Sequence, residues 1–401
     1  MTRWENTTLG CVCRSVSETY HGQDSNVVLV NTSDVFEGEI LAHEYVPNVK
    51  LRGQFKKTFQ KDDILFSEIR PANKRYAYVT LDDTRAYIAS TKLMVLRANR
   101  EKIIPRYLYS FLKSEQILAE LQHLAETRSG TFPQITFDAE LAPLKIILPA
   151  YDTQKKIVDI ISVFDDKIAL NRKINKNLEE QIHAIVSRRF IENSSLKLME
   201  QQNLSTLCLI ITKGTTPTTV GCNFVNHGVN FVKAESIQKD HTIATGKLAH
   251  IDDKTHATLS RSVIKEKDIL FTIAGTLGRF SFIDESLLPA NTNQAVAIIR
   301  VNQAKIPPEY IYSLFIGNWH NNYYVKHIQQ AVQANLSLAT IKSLPIPMLP
   351  DSDMKVYIRM VSPIISLMQS YACENSRLQT LRDTLLPRLM SGELDVSSIK
   401  L

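Results

Sequence analysis

The sequence lacks any apolar run that could cross a membrane, and it has few residues that could crosslink it. No stretch approaches the roughly 18–20 apolar residues that span a bilayer. The opening MTRWENTT has no apolar segment of the kind found in secretory signals. The 5 cysteines are odd in number and scattered, which argues against a disulfide framework and is typical of a reducing compartment. We therefore expect a cytoplasmic protein with no membrane partner.

Motifs of common catalytic and metal sites are also missing. The chain contains no GxxxxGK[ST] phosphate loop, no HExxH zinc motif and no Gly-x-Ser-x-Gly elbow. The 10 histidines show no ligand spacing, and Cys11 and Cys13 have no second pair, so we expect no metal site. Asp62, Asp63 and Glu68, near Arg70, could belong to a nuclease, but the second copy described below keeps Asp268 and has a neutral residue in place of Glu68. We expect no catalytic residues, and a diverged carboxylate nuclease remains the alternative.

What is present fits a soluble protein of more than one domain. The chain has 401 residues, of which 44% are hydrophobic and 22% charged, and about 100–200 residues make one domain. The 47 basic and 41 acidic residues give a formal net charge of +6. This mild excess permits nucleic acid as a partner without requiring it.

The most informative feature is an internal repeat of about two hundred residues. Three motifs recur in the same order with offsets of 205, 203 and 201 residues: Lys61–Phe66 with Glu266–Phe271, Pro105–Ser110 with Pro308–Ser313, and Gln134–Thr136 with Asn335–Ser337. Within each copy, short runs rich in β-branched and aromatic residues predict strands, and a proline then starts a helix. We expect these helices from Pro105 to about Gln122 and from Pro308 to about Val325. The repeat predicts two copies of one α+β module.

A heptad pattern follows each module and predicts a long helix of about 33 residues, or about 50 Å. The predicted seam of the first helix is Ile157, Ile161, Phe164, Ile168, Leu178 and Ile182, interrupted by Asn171 and Asn175. Shifting it by 203 residues gives Ile364, Leu367, Tyr371, Leu378, Leu381 and Leu385. Since an a/d seam is narrower than the usual apolar face of a globular helix, we expect the two helices to form an antiparallel coiled coil.

These patterns divide the chain into four segments. We expect one globular module over residues 1–150 and a long helix over 151–192. The second module covers 193–350, and the second helix with a tail covers 351–401. The fold class is therefore α+β, with two pseudo-symmetric α/β domains separated by a two-helix antiparallel coiled coil.

With these features in place, the chain resembles the specificity (S) subunit of type I restriction–modification systems. The resemblance covers nearly the whole chain and depends on several short motifs occurring in order. They are Asp63–Pro71, Gln154–Val158, Lys213–Pro217, Phe231–Ala234, Asp268–Phe271, Gly275–Arg279, Asn291–Ala295 and Leu385–Leu394. The second helix departs from the pattern, because its start at Asp353–Val356 lacks the glutamine found at Gln154.

The resemblance implies a sequence-specific DNA-binding adaptor without catalysis of its own. Each module would be a target recognition domain that reads one half of a bipartite double-stranded DNA target. The helices would set the gap and dock two methylation (M) subunits, and restriction (R) subunits would join that core. S-adenosylmethionine, ATP and Mg would act on those partner subunits, so we expect no cofactor on this chain. A silent variant or a structural spacer of another DNA-defence complex are further alternatives.

Basic, amide and hydroxyl side chains near the module motifs are the candidate DNA contacts. Lysine and arginine contact phosphates, whereas arginine, asparagine and glutamine also read base edges. The candidates of the first module are Arg52, Lys56, Lys57, Arg70, Asn73, Lys74, Arg75, Tyr76, Arg128 and Thr131. Those of the second are Lys213, Thr215, Thr216, Lys233, Ser236, Thr276, Arg279, Asn291, Asn293, Gln294, Gln330, Gln333 and Asn335. Solvated sheet edges, turns and helix faces are the alternative roles of these residues.

Overall fold

The computed structural model describes residues 4–49, 53–128, 131–191, 200–325 and 335–396. Contacts divide the chain into two compact units, Met1–Asp166 with Leu378–Leu401, and Lys167–Arg377. Each unit contains a domain of strands and short helices together with parts of both long helices. The first unit therefore combines two segments that are far apart in the sequence, whereas the second is one continuous segment.

The first unit contains three sheets and a β-hairpin of short strands. The strands are β1 (Glu5–Thr8), β2 (Cys13–Val16), β3 (Asn26–Val30), β4 (Val35–Phe36), β5 (Glu39–Ile40), β6 (Val46–Pro47), β7 (Phe55–Lys57), β8 (Ile64–Ser67), β9 (Tyr76–Tyr78), β10 (Tyr87–Ser90), β11 (Leu93–Ala98) and β12 (Lys145–Leu148). The two larger sheets have the orders β2-β11-β8-β9 and β6-β3-β10-β7, while β1 pairs with β12 and β4 with β5. All pairs are antiparallel except β3 with β10, which are parallel.

The second unit repeats the three sheets in the same arrangement. Its strands are β13 (Gln201–Asn203), β14 (Cys208–Lys213), β15 (Val229–Val232), β16 (Ala249–Ile251), β17 (Val263–Ile264), β18 (Ile269–Thr272), β19 (Phe280–Phe282), β20 (Ala290–Thr292), β21 (Val296–Val301) and β22 (Pro345–Pro347). The sheet orders are β14-β21-β18-β19, β16-β15-β20-β17 and β13-β22. The parallel pair is now β15 with β20. The predicted α+β fold and internal repeat are confirmed.

The central sheet of each domain has two buried faces, because alternate residues along a strand point to opposite sides. In β8, Ile64 and Phe66 belong to one hydrophobic cluster and Leu65 to another. In β18, Ile269 and Phe271 likewise pack in one cluster and Leu270 in a second. This burial on both sides explains why these strands read as continuous apolar runs.

The α-helices are α1 (Pro105–Leu112), α2 (Glu115–Arg128), α3 (Tyr151–Val186), α4 (Asp253–Thr258), α5 (Pro308–Ile316), α6 (Asn321–Val325), α7 (Leu338–Lys342) and α8 (Asp351–Met390). The four predicted helices begin where expected, as α1, α3, α5 and α8, but α1 and α5 are shorter than predicted. The single helix expected from Pro105 is interrupted between α1 and α2, where Lys113 caps α1. The buried ammonium group of Lys113 pairs with Asp165 of α3 at 2.5 Å.

Within each unit the two long helices run antiparallel. In the second unit, Asn171 Nδ2 donates to Asn375 Oδ1 at 3.0 Å and Asn175 Nδ2 donates to the Met368 carbonyl at 3.1 Å. In the first, Arg382 pairs with Asp165 at 2.9 Å. Residues further along α3 are hydrogen-bonded to residues nearer the start of α8, so the antiparallel prediction is confirmed.

The buried stripe of α8 lies one residue later than the predicted seam. Its buried apolar residues are Tyr357, Val361, Ile365, Met368, Leu386 and Leu389. Of the predicted seam residues, Leu367 and Leu381 are 42% and 52% exposed, which corrects the prediction, while Ile364, Tyr371, Leu378 and Leu385 are half-buried at the edge of the stripe. Consecutive apolar pairs such as Ile364 and Ile365 allow two registers, and packing against α3 selects the later one.

The predicted seam of the first helix lies mostly in the interior. Ile157, Ile161, Ile168, Leu178 and Ile182 are buried, and Phe164 is half-buried. The first two belong to the core of the first unit, and Leu178 and Ile182 to that of the second. One helix therefore contributes apolar side chains to both domain cores.

Candidate nucleic-acid interface

In the second domain, the parallel strands β15 and β20 place polar loops side by side. Val232 and Thr292 are register partners at the carboxyl ends of these strands, so the loops that begin with Lys233 and Asn293 leave the same sheet edge. The loop after β14 joins them, because the Thr215 amide donates to the Thr292 carbonyl at 3.2 Å. A Cβ atom on Gly214 would come within 1.9 Å of that same oxygen, so this approach requires glycine.

Arginine and amide side chains complete this surface. The exposed Arg261 donates from Nη2 to Thr215 Oγ1 at 3.1 Å. Thr216 is hydrogen-bonded to the amide oxygen of the exposed Gln294. We call Lys213, Thr215, Thr216, Lys233, Arg261, Asn293 and Gln294 the domain-2 polar face. Arg261 was absent from the sequence-based candidates because no motif surrounds it, and only the fold brings it to Thr215.

Two candidate residues, Thr276 and Arg279, hold the β18–β19 loop beside this face through hydrogen bonds to main-chain carbonyls. Thr276 Oγ1 donates to the Ala234 carbonyl and Arg279 Nη1 to the Ile237 carbonyl, both at 2.9 Å. Gly275 and Gly278 adopt φ values of +74° and +83°, which glycine adopts without strain. Thr276 and Arg279 therefore stabilise the loop, and both remain half-buried.

Two candidates of the second domain lie in its interior and cannot touch DNA. Ser236 and Asn291 are both 0% exposed. The Ser236 hydroxyl donates to a main-chain carbonyl at 2.9 Å, and the Asn291 amide donates to another at 3.2 Å. Short polar side chains here satisfy loop carbonyls, so the prediction is wrong for these two. Asn335 is exposed, whereas Gln330 and Gln333 lie outside the described residues.

The first domain builds its polar surface from the β8–β9 loop and the segment after α2. The amide of Arg70 donates to the Pro133 carbonyl at 3.2 Å. Lys92 Nζ donates to Gln134 Oε1 at 3.0 Å and ties the turn after β10 to the same place. Exposed side chains here are Arg70, Asn73, Lys92 and Thr131, which we call the domain-1 polar face. Lys92 is an addition to the candidates.

Three candidates of the first domain are held by the protein itself. Lys57 Nζ donates to two main-chain carbonyls at 2.9 Å, and burial lowers its pKa. Arg75 donates to two carbonyls at 3.0 and 3.4 Å. Tyr76 is 6% exposed and stacks on Phe66 with ring centroids 6.0 Å apart. The prediction is wrong for Tyr76. Lys57 and Arg75 use their cationic groups to donate hydrogen bonds within the domain.

The remaining basic candidates of this domain differ in exposure. Lys74 pairs with Glu115 at 3.4 Å, and Arg128 pairs with Glu140 at 3.0 Å. Lys56 is exposed on the edge strand β7, and Arg52 lies outside the described residues. Acidic neighbours therefore reduce the local positive charge that a phosphate would meet at Lys74 and Arg128.

Two of the carboxylates considered for a nuclease, Asp63 and Asp268, are buried in equivalent ion pairs. Arg97 donates from Nε and Nη2 to Asp63, both at 2.8 Å, and Arg300 donates likewise to Asp268 at 2.8 and 2.7 Å. Asp63 and Asp268 are 1% and 0% exposed. Such bidentate pairing occupies the oxygens that would bind a catalytic metal. Across the described ranges, no group of three or more His, Cys, Asp or Glu side chains could hold a metal ion.

Comparison with known proteins agrees with this architecture. Residues 3–180 and 197–369 match the family described as the type I restriction modification DNA specificity domain. The HindI specificity subunit of Haemophilus influenzae is 29% identical, with 98% of this chain and 100% of that protein covered. The putative MjaX specificity subunit of Methanocaldococcus jannaschii is 22% identical over 88% of this chain and 83% of its own length.

A solved structure supports the fold. The type I restriction–modification S subunit from M. genitalium superposes with a TM-score of 0.51 at 15% identity, covering 99% of this chain and 97% of that chain. The repeated domains and the antiparallel helices thus define a DNA-specificity protein with two recognition domains. The chain belongs to the type I restriction–modification specificity family. Among the helices that the structure describes, none is long and apolar enough to cross a membrane.

Proposed function

We propose that each domain of this specificity subunit reads one half of a bipartite double-stranded DNA target through its polar face. The observation that carries the proposal is the repeated topology, in which both domains carry polar side chains at the turn that follows the same strand of the parallel pair, Lys92 after β10 and Asn293 after β20. Two copies of one reader suit a target made of two separate half-sites.

The side chains of the two faces have the chemistry that base reading requires. Arg70 and Arg261 can donate two hydrogen bonds to the O6 and N7 atoms of a guanine. The amides of Asn73 and Gln294 can pair with the N6 and N7 atoms of an adenine. Lys213 is suited to phosphate oxygens, which fix the position of a protein on the duplex. Lys92 is paired with Glu68 at 3.2 Å, which reduces the positive charge that it offers to a phosphate.

We propose that the chain itself is not catalytic. In type I assemblies methylation and cleavage would belong to partner subunits, which would carry S-adenosylmethionine, ATP and Mg. The buried ion pairs of Asp63 and Asp268 support this proposal, because they leave neither carboxylate free for a metal. We further propose that two methylation subunits dock on α3 and α8, that restriction subunits join them in the cytoplasm, and that these helices set the gap between half-sites.

Genome-wide mapping of adenine methylation tests the proposal. The cells carry this chain with the methylation subunit encoded beside it, and the control strain lacks only this chain. We expect a split motif that disappears on deletion. Replacing residues 1–150 with the matching domain of a relative should then change one half-site and leave the other intact. Retention of the motif after deletion, or a change in both halves after the exchange, would contradict the proposal.

A further inference from the structure

The ammonium group of Lys233 lies over an exposed aromatic ring at the domain-2 polar face. Its Nζ atom is 4.9 Å from the centroid of the Phe224 ring. An ammonium ion is attracted to the face of an aromatic ring at distances up to about 6 Å. Phe224 is 36% exposed, so its ring belongs to the surface of the domain and not to its core. The ring therefore restricts where the charge of Lys233 can lie.

The fold fixes the Phe224 ring in this place. The ring makes an edge-to-face contact with Phe231 of β15, with centroids 5.3 Å apart and planes at 77°, and Phe231 is completely buried. The main chain is fixed as well, because the amide of the next residue, Val225, donates to the His250 carbonyl at 2.9 Å. The contact that Phe224 offers to Lys233 is therefore built into the domain.

The turn that carries Lys233 also occurs in the first domain, where an asparagine takes the place of the lysine. The Lys233 amide donates to Ser236 Oγ at 3.3 Å, and the Ser236 amide donates to the Lys233 carbonyl at 2.9 Å. In the first domain, the Asn31 amide donates to Asp34 Oδ2 at 2.8 Å, and the Asp34 amide donates to the Asn31 carbonyl at 3.0 Å. The two turns directly follow β15 and β3. Since the turn forms with asparagine, the fold does not require a lysine at this position.

The aromatic ring comes from a loop that is longer in the second domain. Residues 214–228 join β14 to β15, whereas residues 17–25 join β2 to β3. In the shorter loop the aromatic residue is Tyr20, whose hydroxyl donates to the Asp24 carboxylate at 2.9 Å. The pair of Lys233 and Phe224 is thus a feature of one domain. Because the repeated fold forms without this pair, a role in binding accounts for it better than a role in folding.

We infer that Phe224 is a positioning residue, which holds the ammonium group of Lys233 where a phosphate of the DNA backbone contacts it. The inference rests on the proposed function of the domain-2 polar face. A lysine side chain loses conformational freedom when it binds a phosphate, and one that is already restrained loses less. The ring also leaves the positive charge of Lys233 intact, whereas carboxylates compensate the charges of Lys74 and Arg128 in the first domain.

Fluorescence anisotropy of the full chain assembled with its methylation subunits tests the inference, on a duplex that carries the motif identified by methylation mapping. Lys233→Ala should lower the slope of log affinity against log salt by about 0.9, the share of one phosphate contact. We expect Phe224→Leu to weaken binding by about two- to fivefold, the fold-change that corresponds to an exposed contact between a cation and a ring. Phe224→Tyr keeps the ring and should bind like the wild type.

The double variant Phe224→Leu/Lys233→Ala separates positioning from a general structural effect. Once the lysine is absent, Phe224→Leu should weaken binding no further. An equal loss with and without Lys233, or a loss in Phe224→Tyr as large as in Phe224→Leu, would overturn the inference. Leu209→Ala is the control, because this residue is 63% exposed and lies at the opposite end of β14 from Lys213. If Phe224→Leu does not fold, Phe224→Met takes its place with the same expected results.

Lys213→Ala distinguishes a failure of the inference from a failure of the proposed function. If Lys213→Ala weakens binding and Phe224→Leu does not, the face binds DNA without help from the ring, and the inference alone is overturned. If Lys213→Ala and Lys233→Ala both leave affinity and salt dependence unchanged, this face does not contact DNA. The proposed function of the face is then wrong, and the inference is overturned with it.

Discussion

Asn171 and Asn375 occupy equivalent positions of the two long helices and are hydrogen-bonded to each other at 3.0 Å. Asn171 is 0% and Asn375 is 9% exposed, and Asn171 also donates to Glu374 at 2.7 Å. A buried amide pair within an apolar seam fixes the register of a coiled coil at some cost in stability. The polar interruption noticed in the sequence is therefore the point where the two helices are aligned.

Removing one member of this pair should destabilise the protein. We expect Asn171→Leu to lower the free energy of unfolding by about 1–3 kcal/mol, because it leaves the Asn375 amide buried without its partner. Urea denaturation measures the change. Asn177→Leu on the exposed side of α3 is the control. The double variant Asn171→Leu/Asn375→Leu should recover stability, and a loss equal to the sum of both single variants would contradict this interpretation.

The corrected seam of α8 predicts opposite outcomes for neighbouring residues. Met368 is 7% exposed and Leu367 is 42% exposed. We expect Met368→Asp to lower the free energy of unfolding by roughly 3 kcal/mol or more, because it buries an unpaired charge. Leu367→Asp should change it little. Thermal and urea unfolding of both variants provides the comparison, and the reverse order of effects would restore the register that the sequence predicted.

The equivalent ion pairs of the two domains should matter for stability. Asp268→Ala leaves the Arg300 guanidinium group, which is 18% exposed, without its partner. The expected loss is about 3–5 kcal/mol in the free energy of unfolding, which is typical when one member of a buried pair is removed. The exposed pair of Lys61 and Asp82 provides a control, since Asp82→Ala should leave unfolding nearly unchanged. An equal decrease in the free energy of unfolding for Asp268→Ala and Asp82→Ala would show that the buried pair stabilises the protein no more than the exposed pair.

We expect substitutions in the domain-2 polar face to have separate effects on DNA affinity and on base specificity. Lys213→Ala should weaken binding to all DNA sequences and lower the slope of log affinity against log salt by about 0.9, the share of one phosphate contact. Arg261→Ala should instead relax one base position, at about 1–3 kcal/mol of discrimination. Fluorescence anisotropy on the assembled complex measures both. The exposed Lys239→Ala in the same domain is the control, and an equal effect there would argue against this face.

Burial of His320 predicts a loss of stability at acid pH. The imidazole is 5% exposed and packs against the rings of Phe271, Phe280 and Phe315. Burial lowers its pKa from 6.5 to about 3, and the neighbouring His241 adds to the effect. The folded protein therefore excludes a proton that the unfolded chain takes up below about pH 6.5, so stability falls as the pH decreases from there towards 3.

At pH 5.5 the contribution of His320 should amount to a loss of about 1.4 kcal/mol relative to neutral pH. His320→Phe should remove that part of the dependence, whereas the exposed His227→Phe should retain it. Urea titrations at pH 7.5 and 5.5 give the difference. Parallel pH profiles for wild type and His320→Phe would contradict the assignment.

Much of the fold could be predicted because the strands and heptads are repeated. The apolar run Leu93–Leu96 has a counterpart at Val296–Ile299 in the second copy, so each copy supports the interpretation of the other. The register of α8 could not be predicted, since Ile364 and Ile365, like Leu385 and Leu386, offer apolar side chains on adjacent faces. Only the partner helix decides which of them is buried.

The polar faces were predicted less completely than the fold. Motif positions correctly indicated the exposed surface at Thr215 and Gln294. They also indicated Ser236 and Asn291, which are buried, because a short polar side chain in a loop can form hydrogen bonds either with water or with a main-chain carbonyl. Arg261 has no pattern around it, and it reaches Thr215 through the pairing of strands distant in sequence. Surface arrangement of this kind depends on tertiary structure and leaves no local periodicity.

The composition of the first unit has a consequence for how the protein is made. Leu386, Leu389 and Val396 belong to the same hydrophobic cluster as Leu9 and Ile64, although about two hundred residues of the second unit intervene. At about 5–20 residues per second, a ribosome needs roughly 10–40 seconds to synthesise that interval. During this time the first domain is on its own and lacks part of its core. The domain that is synthesised first can therefore be completed only after the second has emerged.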